Sequence, residues 1–216
     1  MLEFARACPG SPPMQVARSR SAYGRMLFVS PGINAFSDSS QASMRTRGAI
    51  VYLSQVRHSD YGRDSLAWLQ RSLKLLFENY NERQRDDVLI LHTGDFDEPT
   101  QQRVLRPYPG RPVRFHRLTE HYWHLPANLK GSNVSEWKGA QGVGYRHMIR
   151  LFTRMLWDLA AELGYDYVMR LDEESLLHSP IQYNLFEYMA SNSLEYGYRQ
   201  VAWESGHAGE GLYASS

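Results

Sequence analysis

Tyr165-Asp166-Tyr167-Val168-Met169-Arg170-Leu171-Asp172-Glu173-Glu174-Ser175 is the stretch whose reading decides the fold. Val168, Met169 and Leu171, with the aromatic Tyr165 and Tyr167, give the apolar, β-favouring run of an interior strand. That run passes directly into three consecutive carboxylates. Side chains alternate along an extended chain, so Asp172 and Glu174 are expected on one side and Glu173 on the other. Two carboxylates converging on a point suit a hard cation such as Mg²⁺ or Mn²⁺. In open α/β sheets ligands bind beyond the carboxyl ends of the strands, where this pair would lie. The alternative reading is a solvated acidic turn between a strand and the next helix.

Working outward, strands and helices alternate. Ala49-Ile50-Val51-Tyr52-Leu53 is a compact apolar run suited to the first strand of a parallel sheet, closing in the polar loop Ser54–Asp60. Leu66, Leu69, Leu73, Leu76, Phe77 and Tyr80 recur at helical spacing, with Asp64 or Ser65 as N-cap. Val88-Leu89-Ile90-Leu91 is a second buried strand ending at His92-Thr93-Gly94-Asp95, and Glu98–Leu105 is a short helix. Pro107, Pro109 and Pro112 separate it from a third strand over Val113–Leu118. Thr119–Lys138 is less regular and reads as a loop or lid carrying His121, Tyr122, Trp123, His124 and Trp137; His121 and His124 alone read as surface groups. Asn133-Val134-Ser135 fits a glycosylation acceptor, relevant in the secretory pathway.

A long helix follows from Tyr145 to about Leu163, with Met148, Leu151, Phe152, Met155, Leu156 and Leu159 on its apolar face. Its first turns carry Arg146, His147 and Arg150, where exposed N–H groups and cationic side chains favour anions. The preceding glycines match neither a P-loop nor the dinucleotide fingerprint. After the acid-tipped strand come a helix over about Asn184–Asn192 and a last strand over Tyr198–Trp203. This alternation predicts an α/β fold in a single domain, its mostly parallel sheet flanked by helices. The expected layout is a poorly ordered leader over 1–46, the α/β domain over 47–203 and a flexible tail over 204–216.

Composition narrows the function classes. Lys plus Arg number 24 against 23 Asp plus Glu, which argues against a nucleic-acid binder held by a broad basic surface. Cys8 is the single cysteine, so neither an internal disulfide nor a cysteine metal site is expected. No apolar run approaches the ~18–20 residues that span a bilayer, and Met1–Gly10 lacks a signal-peptide core, so the chain as written reads as soluble. No G-x-S-x-G elbow or H-E-x-x-H motif is present, which disfavours acyl transfer and zinc hydrolysis. Carboxylates at a strand end, an arginine-bearing helix start, and Arg57 and Arg170 at strand ends together suit a metal-bound diphosphate. Nucleotide-sugar transfer is the reaction that layout serves most directly.

Five short motifs in order resemble the fungal α-1,2-mannosyltransferases of glycosyltransferase family 15. They are Ser54-Gln55-Val56-Arg57-His58, Glu120-His121-Tyr122-Trp123, Tyr145-Arg146-His147-Met148-Ile149-Arg150-Leu151, Arg170-Leu171-Asp172-Glu173-Glu174, and Tyr183–Met189 followed by Tyr196-Gly197-Tyr198. The resemblance implies a GT-A-like, Rossmann-type sheet, a GDP-mannose (or other nucleotide-sugar) donor and Mn²⁺, with Mg²⁺ as substitute. It also implies transfer to a mannose hydroxyl of a glycan with retained anomeric configuration, in the Golgi lumen. Asp172 and Glu174 take the places of the family's metal-side acids. Arg57, Tyr145, Arg146 and Arg150 sit where the family holds donor nucleotide and phosphates, with Arg170 beside them. The family has Glu-Pro-Asp where Asp172-Glu173-Glu174 stands here. Its nucleophile and a further metal-ligand histidine are implied to lie beyond Ser216. A second expectation is a non-catalytic domain that binds nucleotide diphosphate or glycan without transfer.

Overall fold

The computed structural model describes residues 46–57, 64–125, 129 and 142–198, together with the backbone of residues 2–6. All of these belong to one compact unit. The glycosylation motif at Asn133, Trp137, Cys8 and the tail over 204–216 lie outside the described residues.

A six-stranded sheet in the order β4-β3-β2-β5-β1-β6 forms the centre. The strands β2 (Gly48–Leu53), β3 (Asp87–His92), β4 (Val113–Arg117) and β5 (Tyr167–Leu171) run parallel. The chain steps outward from β2 to β3 to β4, then returns to lay β5 on the other side of β2. The order of travel therefore reverses between β2 and β5. This is the switch point at which open α/β sheets leave a crevice beyond their carboxyl ends.

Period-two alternation sends each strand's side chains into two separate cores. Ile50, Tyr52, Val88, Ile90, Tyr167, Met169 and Leu171 pack on one face against α1 (Ser65–Leu76), α3 (Glu98–Leu105) and α6 (Leu185–Ser191). Ala49, Val51, Leu89, Leu91 and Val168 pack on the other, against the long helix that precedes β5. The apolar stripe expected over Leu66–Tyr80 is buried throughout. Asp64 caps α1, its Oδ1 accepting from the Ala67 N–H at 3.1 Å.

Both long helices carry a feature that periodicity did not announce. After α1 the chain makes a π-helical turn over Phe77–Asn81 before the short α2 (Glu82–Gln84). The second long helix runs as α4 (Val143–Arg150), a π turn over Leu151–Met155 and α5 (Leu156–Glu162).

The expectation of a leader over 1–46 is corrected at its start. Leu2–Arg6 is a strand, β1, paired antiparallel with β5 from Leu2↔Leu171 to Arg6↔Tyr167. Five residues bounded by Pro9 and Gly10 carry little signal of their own; the strand is defined by the edge of β5 that it pairs with. The last strand also differs. It begins earlier, as β6 (Tyr196–Tyr198), antiparallel to β1, and residues 199–203 are outside the described set.

Candidate functional site

The carboxyl ends of β2, β3 and β5 meet at the switch point. At the end of β5 the chain does not stay extended. The Ser175 N–H donates to the Asp172 carbonyl at 2.8 Å, closing a turn. The Ser175 hydroxyl, in return, accepts from the Asp172 N–H at 3.1 Å. The turn is anchored from below, where the buried Ser72 of α1 donates to the Ser175 carbonyl and itself bonds the Tyr52 hydroxyl.

This turn changes the expected distribution of the acids. Simple alternation ceases at Leu171, so the three carboxylates are placed by their partners. Asp172 Oδ1 accepts from Arg170, Nη2 at 3.1 Å and Nε at 3.3 Å. Arg170 is largely covered and lies over the Phe152 ring, its guanidinium carbon 3.8 Å from the centroid. A cation stacked on an aromatic face and forked onto a carboxylate is held in one orientation. Arg170 thus fixes Asp172. Glu173 reaches toward β2, where its Oε2 accepts from the Ser54 hydroxyl at 2.8 Å. Glu174 is exposed at the tip of the turn.

On the β2 side, Ser54 continues the ladder one residue beyond the strand, donating to the Leu91 carbonyl at 3.0 Å. Val56 N–H then donates to Asp95 Oδ2 at 2.6 Å. Arg57 follows, exposed, at the mouth of the switch point. Asp95 is delivered by the turn after β3, where Gly94 at φ +117° adopts a conformation that a side chain resists. Its N–H donates to His92 Nδ1 at 3.1 Å. Burial lowers the pKa of His92, which favours its neutral imidazole.

Two of the expected donor residues, Tyr145 and Arg146, are exposed on the first turns of α4, after Gly142 at the N-cap. Arg150 is placed differently. Its guanidinium donates to the His124 carbonyl and, at 3.5 Å, to the His121 carbonyl. It acts as a strut between α4 and the segment after β4. Trp123 packs beside His147, ring centroids 5.4 Å apart. Burial, with Arg150 and His124 nearby, lowers the His147 pKa.

The edge gathers oxygen donors: the Asp172, Glu173 and Glu174 carboxylates with the Ser54 and Ser175 hydroxyls. Among the described residues no group of three or more His, Cys, Asp or Glu side chains is arranged to hold a metal alone. A hard divalent cation sharing its shell between one or two carboxylates and the oxygens of a bound diphosphate fits this set; an all-protein cage does not. Sequence reasoning missed Ser54, Asp95 and Ser175. Their partners become visible only when the strand order is known.

The architecture is an α/β fold of GT-A type. The crystal structure of the mannosyltransferase Ktr4p from Saccharomyces cerevisiae superposes with a TM-score of 0.58 at 20% identity, covering 68% of this chain and 37% of that one. Core-mannan synthase A from Aspergillus fumigatus, in an Mn/GDP form, gives a TM-score of 0.57 at 17% identity over 72% of this chain and 42% of that one. In sequence, the probable mannosyltransferase KTR3 of Saccharomyces cerevisiae is 24% identical over 146 residues, 63% of this chain and 36% of the relative. Residues 30–213 match the glycolipid 2-alpha-mannosyltransferase family model. The chain belongs to that family, and it spans roughly two fifths or less of the length of these relatives.

Proposed function

We propose that this chain carries the donor-binding part of a mannosyltransferase, moving mannose from GDP-mannose to a mannose hydroxyl of a glycan. The observation that carries the reading is the acid turn at the switch point, pinned to β2 through Ser54–Glu173 and to β5 through Arg170–Asp172. Family membership and the Mn/GDP form of a protein with this fold support it. Asp172 and Glu174 would hold Mn²⁺, or Mg²⁺ in its place. When bound there, a divalent cation supplies charge neutralisation for the leaving diphosphate.

Within this reading each residue has a task. Arg57 and Arg146 receive diphosphate oxygens, since planar guanidinium groups fork onto such anions. Tyr145 offers an exposed ring and hydroxyl to the nucleotide. Arg170 keeps Asp172 oriented, and Arg150 holds the segment that flanks α4. Retention of anomeric configuration and a Golgi lumenal setting belong to the same proposal and rest on family membership. No helix among the described residues is long and apolar enough to cross a membrane.

Calorimetric titration with GDP, with and without MnCl₂, combined with a GDP-mannose hydrolysis assay, tests the reading. The expected result is Mn-dependent GDP binding that Asp172→Ala weakens at least about tenfold, the loss of one charged contact. Binding without turnover supports the non-catalytic alternative. GDP binding that ignores both Mn²⁺ and Asp172→Ala leaves only a solvated acidic turn.

A further inference from the structure

The segment that carries Arg57 leaves β2 as irregular backbone, yet its polar groups are tied in on three sides. Ser54 N–H reaches β3 at the Leu91 carbonyl, 3.0 Å, and Val56 C=O accepts from Leu66 N–H at the start of α1, 3.4 Å. The Ser54 hydroxyl reaches the β5 turn at Glu173, 2.8 Å. The shortest of these ties is the fourth, from Val56 N–H to Asp95 Oδ2 at 2.6 Å. A backbone N–H donating to a carboxylate is roughly twice as strong as a neutral pair. Val56 itself packs against the core beneath α1, so the amide is held from both its polar and its apolar side.

We propose that Asp95 is a positioning residue for donor binding, setting where Arg57 stands relative to the β5 acid turn. Asp95 acts through Val56, the residue before Arg57. The segment that carries Arg57 is tied to the β5 turn by Ser54–Glu173 and, on its other flank, to the turn after β3 by Val56–Asp95. With the second tie gone, Val56 keeps only the longer 3.4 Å bond from Leu66 N–H and its apolar packing, and Ser54 carries the remaining ties to β3 and the β5 turn. A displacement of about 1 Å in a group that must meet a diphosphate oxygen costs up to about 10²-fold. This inference rests on the reading of the switch point as a nucleotide-diphosphate site.

The experiment has two readouts on the full chain. Hydrogen exchange follows the Val56 amide in wild type, Asp95→Ala and Asp95→Asn, and GDP with MnCl₂ is titrated into each. Asp95→Ala is expected to speed Val56 exchange about tenfold or more and to weaken GDP about tenfold, the loss of one charge-assisted bond. Asp95→Asn keeps an acceptor oxygen and is expected to restore most of both, which an unspecific structural lesion would not do. Unchanged Val56 exchange in Asp95→Ala overturns the tie. Faster exchange with unchanged GDP affinity overturns the positioning role. A wild-type chain that does not bind GDP overturns the reading of the edge itself, and is told apart because the exchange result stands without it.

Discussion

Gly48 opens β2 against the ring of Phe186, and replacing it by alanine is the sharpest test of the packing. A Cβ built on Gly48 lies 2.0, 2.2 and 2.4 Å from Phe186 Cδ2, Cγ and Cε2. Carbon atoms at optimal separation stand about 3.5–4.0 Å apart, so the ring must recede by more than an ångström. It has little room to do so. Phe186 is fully buried, and its helix is fixed by Asn184, which caps α6 and bonds Asp86. Propensity alone gives the opposite sign, because alanine is normally the better residue inside a strand by about 0.5–1 kcal/mol. Overpacking costs about 1–3 kcal/mol, and a rigid site belongs at the top of that range. For a chain of this size, 3 kcal/mol lowers Tm by about 6–12 °C. Thermal unfolding followed by circular dichroism measures it. In a Phe186→Leu background the same substitution is expected to cost about 1 kcal/mol or less, since the two sites touch. A Gly48→Ala chain melting within a degree or two of wild type refutes the close approach.

Three further outcomes are expected. Asp86→Ala removes the buried acceptor of the Tyr80 hydroxyl (2.8 Å) and of Asn184 (3.1 Å), and a loss of about 2–4 kcal/mol is expected in chemical denaturation, read from the urea midpoint. Arg150→Ala should cost about 1–2 kcal/mol of stability, by freeing the carbonyls it braces, while leaving GDP affinity near wild type; an affinity loss comparable to that of Asp172→Ala would show that Arg150 meets the donor directly. His92, His116 and His147 all have pKa values lowered by burial from 6.5. The unfolded chain therefore binds more protons, so stability is fully present above about pH 6.5 and is lost as pH falls toward the folded values. A urea midpoint flat between pH 7.5 and 5.5 would contradict that burial.

The parallel core was legible because each strand is a short apolar run and each crossover helix has a continuous stripe, as in Leu66–Tyr80. What periodicity cannot carry is partner identity. Leu2–Arg6 becomes a strand because β5 offers an edge, a fact of topology that lies more than 160 residues away in the register Leu2↔Leu171. The site was half legible for the same reason. The acids at 172–174 stand at a strand end that the sequence marks, but alternation fails where Ser175 closes the turn. Ser54, Glu173 and Asp95 acquire meaning only once β3 and β5 flank β2. Arg150 likewise has partners that periodicity does not announce, the carbonyls of His124 and His121 in the segment after β4.

The π turns at Phe77–Asn81 and Leu151–Met155 bear on how this chain tolerates changes of length. An i→i+5 turn houses one residue more than the α-helical turn it replaces. Excising a single residue there lets the backbone relax into ordinary α geometry while the strands on either side keep their places. Elsewhere in either helix the same excision would rotate everything downstream by about 100°, one residue's share of a 3.6-residue turn. These two turns are therefore where shorter relatives can arise without refolding, and where a one-codon deletion library should find its survivors.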